Sequence, residues 1–228
     1  MMTLPSTTAT LDITCLSDKD HPASTTQDDV NESATLSTTR SPLEHFFAAE
    51  CNRVVSAQGK RPKPTRSLLL QLREIETWIF SPSGPTRALD FTKSVLGNEA
   101  AVALFRTLLL CPSNSTTVVL KIHAIAVPGS GLKNEAIQAL VALLSSHRCS
   151  GVTEVDLRDN EFVAVQAGQV LLRMLGFTLP HDRLEQSAAV TTTRGLGSLR
   201  RIHLSGTNIP THYVRRIYAL VAANGSEC

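Results

Sequence analysis

Apolar positions in the second half of the chain follow a spacing that joins two periods. Val152, Val155, Leu157, Asn160 and Phe162 fall on the pattern L-x-x-L-x-L-x-x-N-x-L. The alternation around Val155 and Leu157 predicts a short strand with one buried face, and Asn160 predicts a turn after it. Ala167, Val170 and Met174 continue at helical spacing, which predicts a helix packed on the same core.

The offsets recur. Leu199, Ile202, Leu204, Thr207 and Ile209 repeat the strand-and-turn pattern, and Val214, Ile217 and Val221 repeat the stripe. Upstream, Leu89, Phe91, Ser94 and Leu96 precede Ala101, Leu104 and Leu108; between these units, Leu120 and Ile122 precede Ile137, Leu140 and Leu144. Two of the helices open alike, with Asn98-Glu99-Ala100 and Asn134-Glu135-Ala136. The turn Asn is kept only at Asn160; Ser94, Ile125 and Thr207 stand in its place elsewhere, so a continuous ladder of turn side chains is expected to be broken. Measured from Leu89, Leu120, Val155 and Ile202, the intervals grow along the chain. The excess is expected to bulge as loops at 126–131 and, at greater length, at 178–197, the latter read as disordered.

These units resemble the ribonuclease-inhibitor-like class of leucine-rich-repeat proteins, in which each repeat pairs a strand with a full helix. The wording LKNEA, VDLRDNEF and IHLSGTNI is most similar to repeat proteins abundant in flagellate protozoa, and the resemblance covers residues 85–224. It implies an α/β fold: a short solenoid of about four strand–helix repeats, with a parallel sheet on the concave face and helices outside. It also implies a non-catalytic interaction module or scaffold, located in the cytoplasm or on the flagellar cytoskeleton. Activators of Ran-type GTPases share this repeat class, so regulation of a small GTPase is the alternative reading from another functional class.

The N-terminal part reads differently. Residues 1–40 are dense in Ser and Thr and carry six acids against Lys19 and Arg40, the composition of a disordered acidic tail. Ser41-Pro42-Leu43-Glu44 is a helix start, with a capping Ser, Pro at the first helical position and Glu three residues past the cap. It opens a helix expected to end near Gly59, and a second is expected after Thr65, with Leu68, Leu72, Ile75 and Ile79 on one face. Ser81-Pro82-Ser83-Gly84-Pro85 breaks the pattern. Residues 41–84 are therefore expected to form an N-terminal helical cap, and 85–228 the repeat domain, whose last unit leaves Ile202, Ile209 and Ile217 at an uncapped edge open to self-association or further repeats.

Composition narrows the chemistry. A net charge of +2 gives no whole-chain polyelectrolyte character. Arg53, Lys60, Arg61, Lys63 and Arg66 form a basic run that keeps contact with RNA or anionic lipid open as a third reading. No aromatic residue interleaves with that run for base stacking, which argues against nucleic acid. The five cysteines are odd in number and without C-x-x-C spacing, as expected of reduced thiols, and neither a signal peptide nor a membrane span is evident. No metal or cofactor motif appears, and the histidines lack the nucleophile elbow and oxyanion glycine of a hydrolase.

Period-two alternation places residues between the buried Leu positions on the outer sheet face. The expected central column is Asp90, Lys121, Asp156 and His203. The flanking columns are Ala88, Val119, Glu154, Arg201 and Thr92, His123, Arg158, Ser205. A partner protein on this concave face is expected to meet Glu154, Asp156, Arg158, Arg201, His203, Lys121, His123 and Asp90, with Arg158 the first choice because Arg is enriched at interface hot spots.

Overall fold

The computed structural model describes residues 41–54, 59, 62, 64–111, 119–177 and 198–225. The acidic tail, Lys60, Arg61, Lys63 and the 178–197 insertion lie outside the described residues. In chain order the elements are α1 (Pro42–Arg53), α2 (Arg66–Ile79), β1 (Arg87–Asp90), α3 (Asn98–Leu110), β2 (Ile122–Ala126), α4 (Asn134–Leu144), a 3₁₀ turn (His147–Cys149), β3 (Glu154–Asp156), α5 (Val165–Met174), β4 (Arg201–His203) and α6 (Thr211–Gly225).

The fold is α/β. Among the described residues, four strands form one parallel sheet in the order β1-β2-β3-β4, and each strand is followed by a helix. Helices α3, α4, α5 and α6 pack in succession, with α1 against α3. One apolar core lies between the two layers, holding Leu89, Ile125, Val155 and Ile202 from the strands and Leu104, Leu140 and Leu171 from the helices. Of the stripe residues, Ala101, Leu104, Leu108, Ile137, Leu140 and Ala167 are fully buried, whereas Val170 and Val214 are only half-buried.

Strand register corrects the alignment of the second unit. Leu89 pairs with Ile125, Ile125 with Val155 and Val155 with Ile202. Leu120 lies before β2, where its N–H donates to Arg148 O at 2.7 Å. The pattern therefore runs Ile122, Ile125, Val127, Ser130, and Ser130, not Ile125, holds the turn position; Ser130 and Asn160 are both fully buried. The expected bulge at 126–131 is thus the ordinary end of β2 and its turn. From Leu89 through Ile125 and Val155 to Ile202 the intervals are 36, 30 and 47 residues, so they do not grow steadily, and the additional length falls between α3 and β2 and between α5 and β4. In the third unit the apolar position after the turn is Val163, fully buried, while Phe162 is 54% exposed beneath the Lys133 ammonium.

The turns share a left-handed residue, Gly129 (φ 57°), Asp159 (φ 58°) and Gly206 (φ 72°). Asn160 ties two of them together. Its Nδ2 donates to Val127 O (2.9 Å), Leu157 O (2.9 Å) and Arg158 O (3.1 Å), and its Oδ1 accepts from Leu132 N (3.0 Å). The repeated Asn of the helix starts also bridges units: Asn98 Oδ1 accepts from Lys133 N at 2.9 Å, and Asn134 Nδ2 donates to Gln166 Oε1. Each bond satisfies a polar group at a helix start while holding adjacent units in register.

The first helix carries the expected capping box between Ser41 and Glu44 but stops at Arg53, ahead of the β-branched Val54, which is extended. Glu44 also accepts from Arg73 Nε at 2.6 Å, joining α1 to α2. At the far end, Ile202, Ile209 and Ile217, expected at an open edge, are buried. Leu204 N–H donates to the Tyr218 hydroxyl at 3.4 Å, and Thr207 Oγ1 donates to Leu204 O at 2.7 Å, so α6 and the turn blunt the β4 edge.

Candidate functional site

The outer face of the sheet follows from the register. Its central column is Asp90, Ala126, Asp156 and His203, and one flank is Ala88, Ala124, Glu154 and Arg201. Lys121 and His123 are displaced from the expected columns. Lys121 precedes β2, its N–H donating to Ile79 O at 3.0 Å, and the exposed His123 sits where the β1–β2 register slips between Arg87 and Ala88. Val119 also lies ahead of β2.

The structure brings five of the expected residues together across β3 and β4. Asp156 and Arg158 form a forked pair: Arg158 Nε lies 3.0 Å from Oδ1 and Nη2 lies 2.7 Å from Oδ2. Arg158 N–H also donates to Asp156 Oδ1 at 3.0 Å, a local turn that aims the side chain back over the strand. On the adjacent register position, Glu154 meets His203 Nε2 at 3.1 Å and Arg201 Nε at 3.5 Å. Arg158 covers Asp156, leaving the carboxylate nearly buried although it stands on the outer face. Burial pushes the Asp156 carboxyl upward; the hydrogen bonds and charge of Arg158, helped by His203, outweigh it and hold the group below its ordinary range. Asp156 raises the Arg158 guanidinium in turn.

Asp90 repeats the local turn, with Thr92 N–H donating to its Oδ1 at 2.8 Å. It stands apart from the cluster, separated from Asp156 by the small side chain of Ala126. Beside it runs a groove of about 490 Å³ between α2 and β1, which sequence reasoning missed. Trp78 is the chain's one tryptophan and Arg87 opens β1, but nothing in the sequence sets the two side by side.

Of the basic run, Arg53 is paired with Glu50 at 2.6 Å and Arg66 begins α2. Cys51, Cys111 and Cys149 are buried free thiols; burial, with Glu50 nearby, raises Cys51 to about 11, and burial raises Cys149 to about 12. Among the described residues, no group of three or more His, Cys, Asp or Glu is placed to hold a metal ion, and no helix is long and apolar enough to cross a membrane. Comparisons with protein-family models, curated proteins and solved structures find no match to this chain.

Proposed function

We propose that the chain is a non-catalytic protein-interaction module, a short leucine-rich-repeat array that docks a partner protein on the outer face of its parallel sheet. The repeat reading is supported by the aligned row Leu89, Ile125, Val155 and Ile202, by the interlocked turns at Asn160 and by a helix after every strand. The single observation that carries the docking reading is the Glu154–Asp156–Arg158–Arg201–His203 cluster, whose charged groups are held in place by one another on an open sheet face. Preorganised charges discriminate among partners and lose little side-chain freedom on association.

The experiment is affinity capture from native lysate of the source cells, comparing wild type with Asp156→Ala/Arg158→Ala. A protein retained by wild type and lost by the folded double variant supports the reading. Equal retention by both, or retention by neither, sinks it.

A further inference from the structure

We propose that the groove between α2 and β1 is a second docking site, one that takes an extended peptide segment acidic at both ends and apolar in its middle. Three observations converge there.

The first is charge. The Arg87 guanidinium carbon lies 5.8 Å from the centroid of the Trp78 ring, within cation–π range. Arg53, Arg73, Arg158 and Arg201 each hold a carboxylate, but Arg87 has none among the described residues. An arginine fork with no carboxylate of its own is a receptor for one. Lys93 lines the opposite end of the groove and is likewise in no ion pair among the described residues.

The second is the groove's middle. Leu70, 55% exposed, and the exposed Ala88 supply most of its apolar surface; Ile75 and Trp78, also in the lining, are buried. Glu74 and Asp90 line the same stretch, so acidic groups of an occupant are repelled from the middle and held at the two ends. Lys93 comes six residues after Arg87, which keeps them within roughly 20 Å and so bounds the separation of the acidic ends.

The third is main chain. Arg87 N–H and Phe91 N–H donate toward the β2 side, to Lys121 O just before β2 at 2.9 Å and to Ala126 O at 2.8 Å. Strand alternation therefore turns the backbone groups of Ala88 and Asp90 toward α2. Gln71 Nε2 takes Asp90 O at 2.5 Å; among the described residues, Ala88 N–H and C=O have no partner on that side. An extended backbone supplies the matching donor and acceptor.

This site is separate from the β3–β4 cluster, and the test keeps the two apart. Trp78 is the only tryptophan, so its emission reports on the groove directly. The full chain is titrated with a synthetic eight-residue peptide carrying two Glu at each end and Leu, Thr, Val and Leu between them. Anisotropy of the same peptide, labelled, gives a second readout that does not depend on Trp78. The expected result is saturable binding in both, weakened about tenfold by Arg87→Gln and also by added salt, and unchanged in Asp156→Ala/Arg158→Ala. A Lys-ended peptide is expected to give no response. Absence of saturation, equal binding of the Lys-ended peptide, or full binding by Arg87→Gln in a chain with wild-type circular dichroism overturns the proposal.

Discussion

The backbone N–H of Leu132 donates to Oδ1 of Asn160 at 3.0 Å, a bond between two successive turns. The same amide gives its hydrogens to carbonyls on both turns, so one buried side chain satisfies groups that water does not reach. Asn160→Ala is expected to cost about 3 kcal/mol, since several groups lose partners at once. Asn160→Asp should cost at least as much, because a carboxylate turns acceptor against carbonyl oxygens. Urea denaturation measures both; a loss under about 1 kcal/mol for the alanine variant contradicts the interlock.

Gly206 and Gly97 separate two reasons for glycine. Both have positive φ, 72° and 71°, but a Cβ at Gly206 meets Asp159 backbone at 3.0 Å, whereas nothing lies within 4 Å of one at Gly97. Gly97→Ala is expected to cost about 2 kcal/mol from conformation alone, since φ 71° with ψ 159° is backbone that only glycine adopts readily, and Gly206→Ala about 3 kcal/mol or more, the close contact adding to the conformation. Thermal melts of the two variants test the order.

The depressed Asp156 carboxyl gives stability a defined pH limb. A folded-state value below the unfolded one means that its contribution is complete above the unfolded carboxyl range, about 3.9, and is lost as pH falls through the folded value. Asp156→Asn should destabilise by about 1 kcal/mol at neutral pH. The gap to wild type should close as the pH falls from about 5 to 2. A gap independent of pH across that window is the contrary result. Urea midpoints in a pH series decide it.

Cys51 and Cys149 carry thiols raised to about 11 and about 12, and Cys111 is raised by burial as well. None forms appreciable thiolate at pH 8 while folded. Expected behaviour is resistance of these three to a disulfide reagent in the native chain and reaction of all three in denaturant, mapped by mass spectrometry.

Much of this architecture is legible in the residue pattern. Helical stripes such as Leu104/Leu108 and Ile137/Leu140 are continuous apolar faces, and the capped start at Ser41 is a local signal that tertiary context does not override. The second strand is not legible in the same way. Leu120 and Ile122 imitate the alternation that Ile125 and Val127 actually supply, and Pro128-Gly129-Ser130-Gly131 looks like an insertion because Ser130 lacks the amide of Asn160. That displacement carried Lys121 and His123 onto the candidate face and left Ala124 and Ala126 off it. The pairs across β3 and β4 were readable because both strands keep the spacing intact. The α2–β1 groove was not, since it depends on how a helix lies beside a strand edge.

Ala88, Ala124 and Ala126 have a consequence for recognition. They leave a low floor between the Asp90 side of the sheet and the taller Glu154–Arg158 ridge. Under the docking proposed above, a guest with one bulky group would seat it there against the main chain, with its smaller charges read at the margins. Tightness would then come from the shape of the visitor's heaviest residue, and discrimination from the walls on either side.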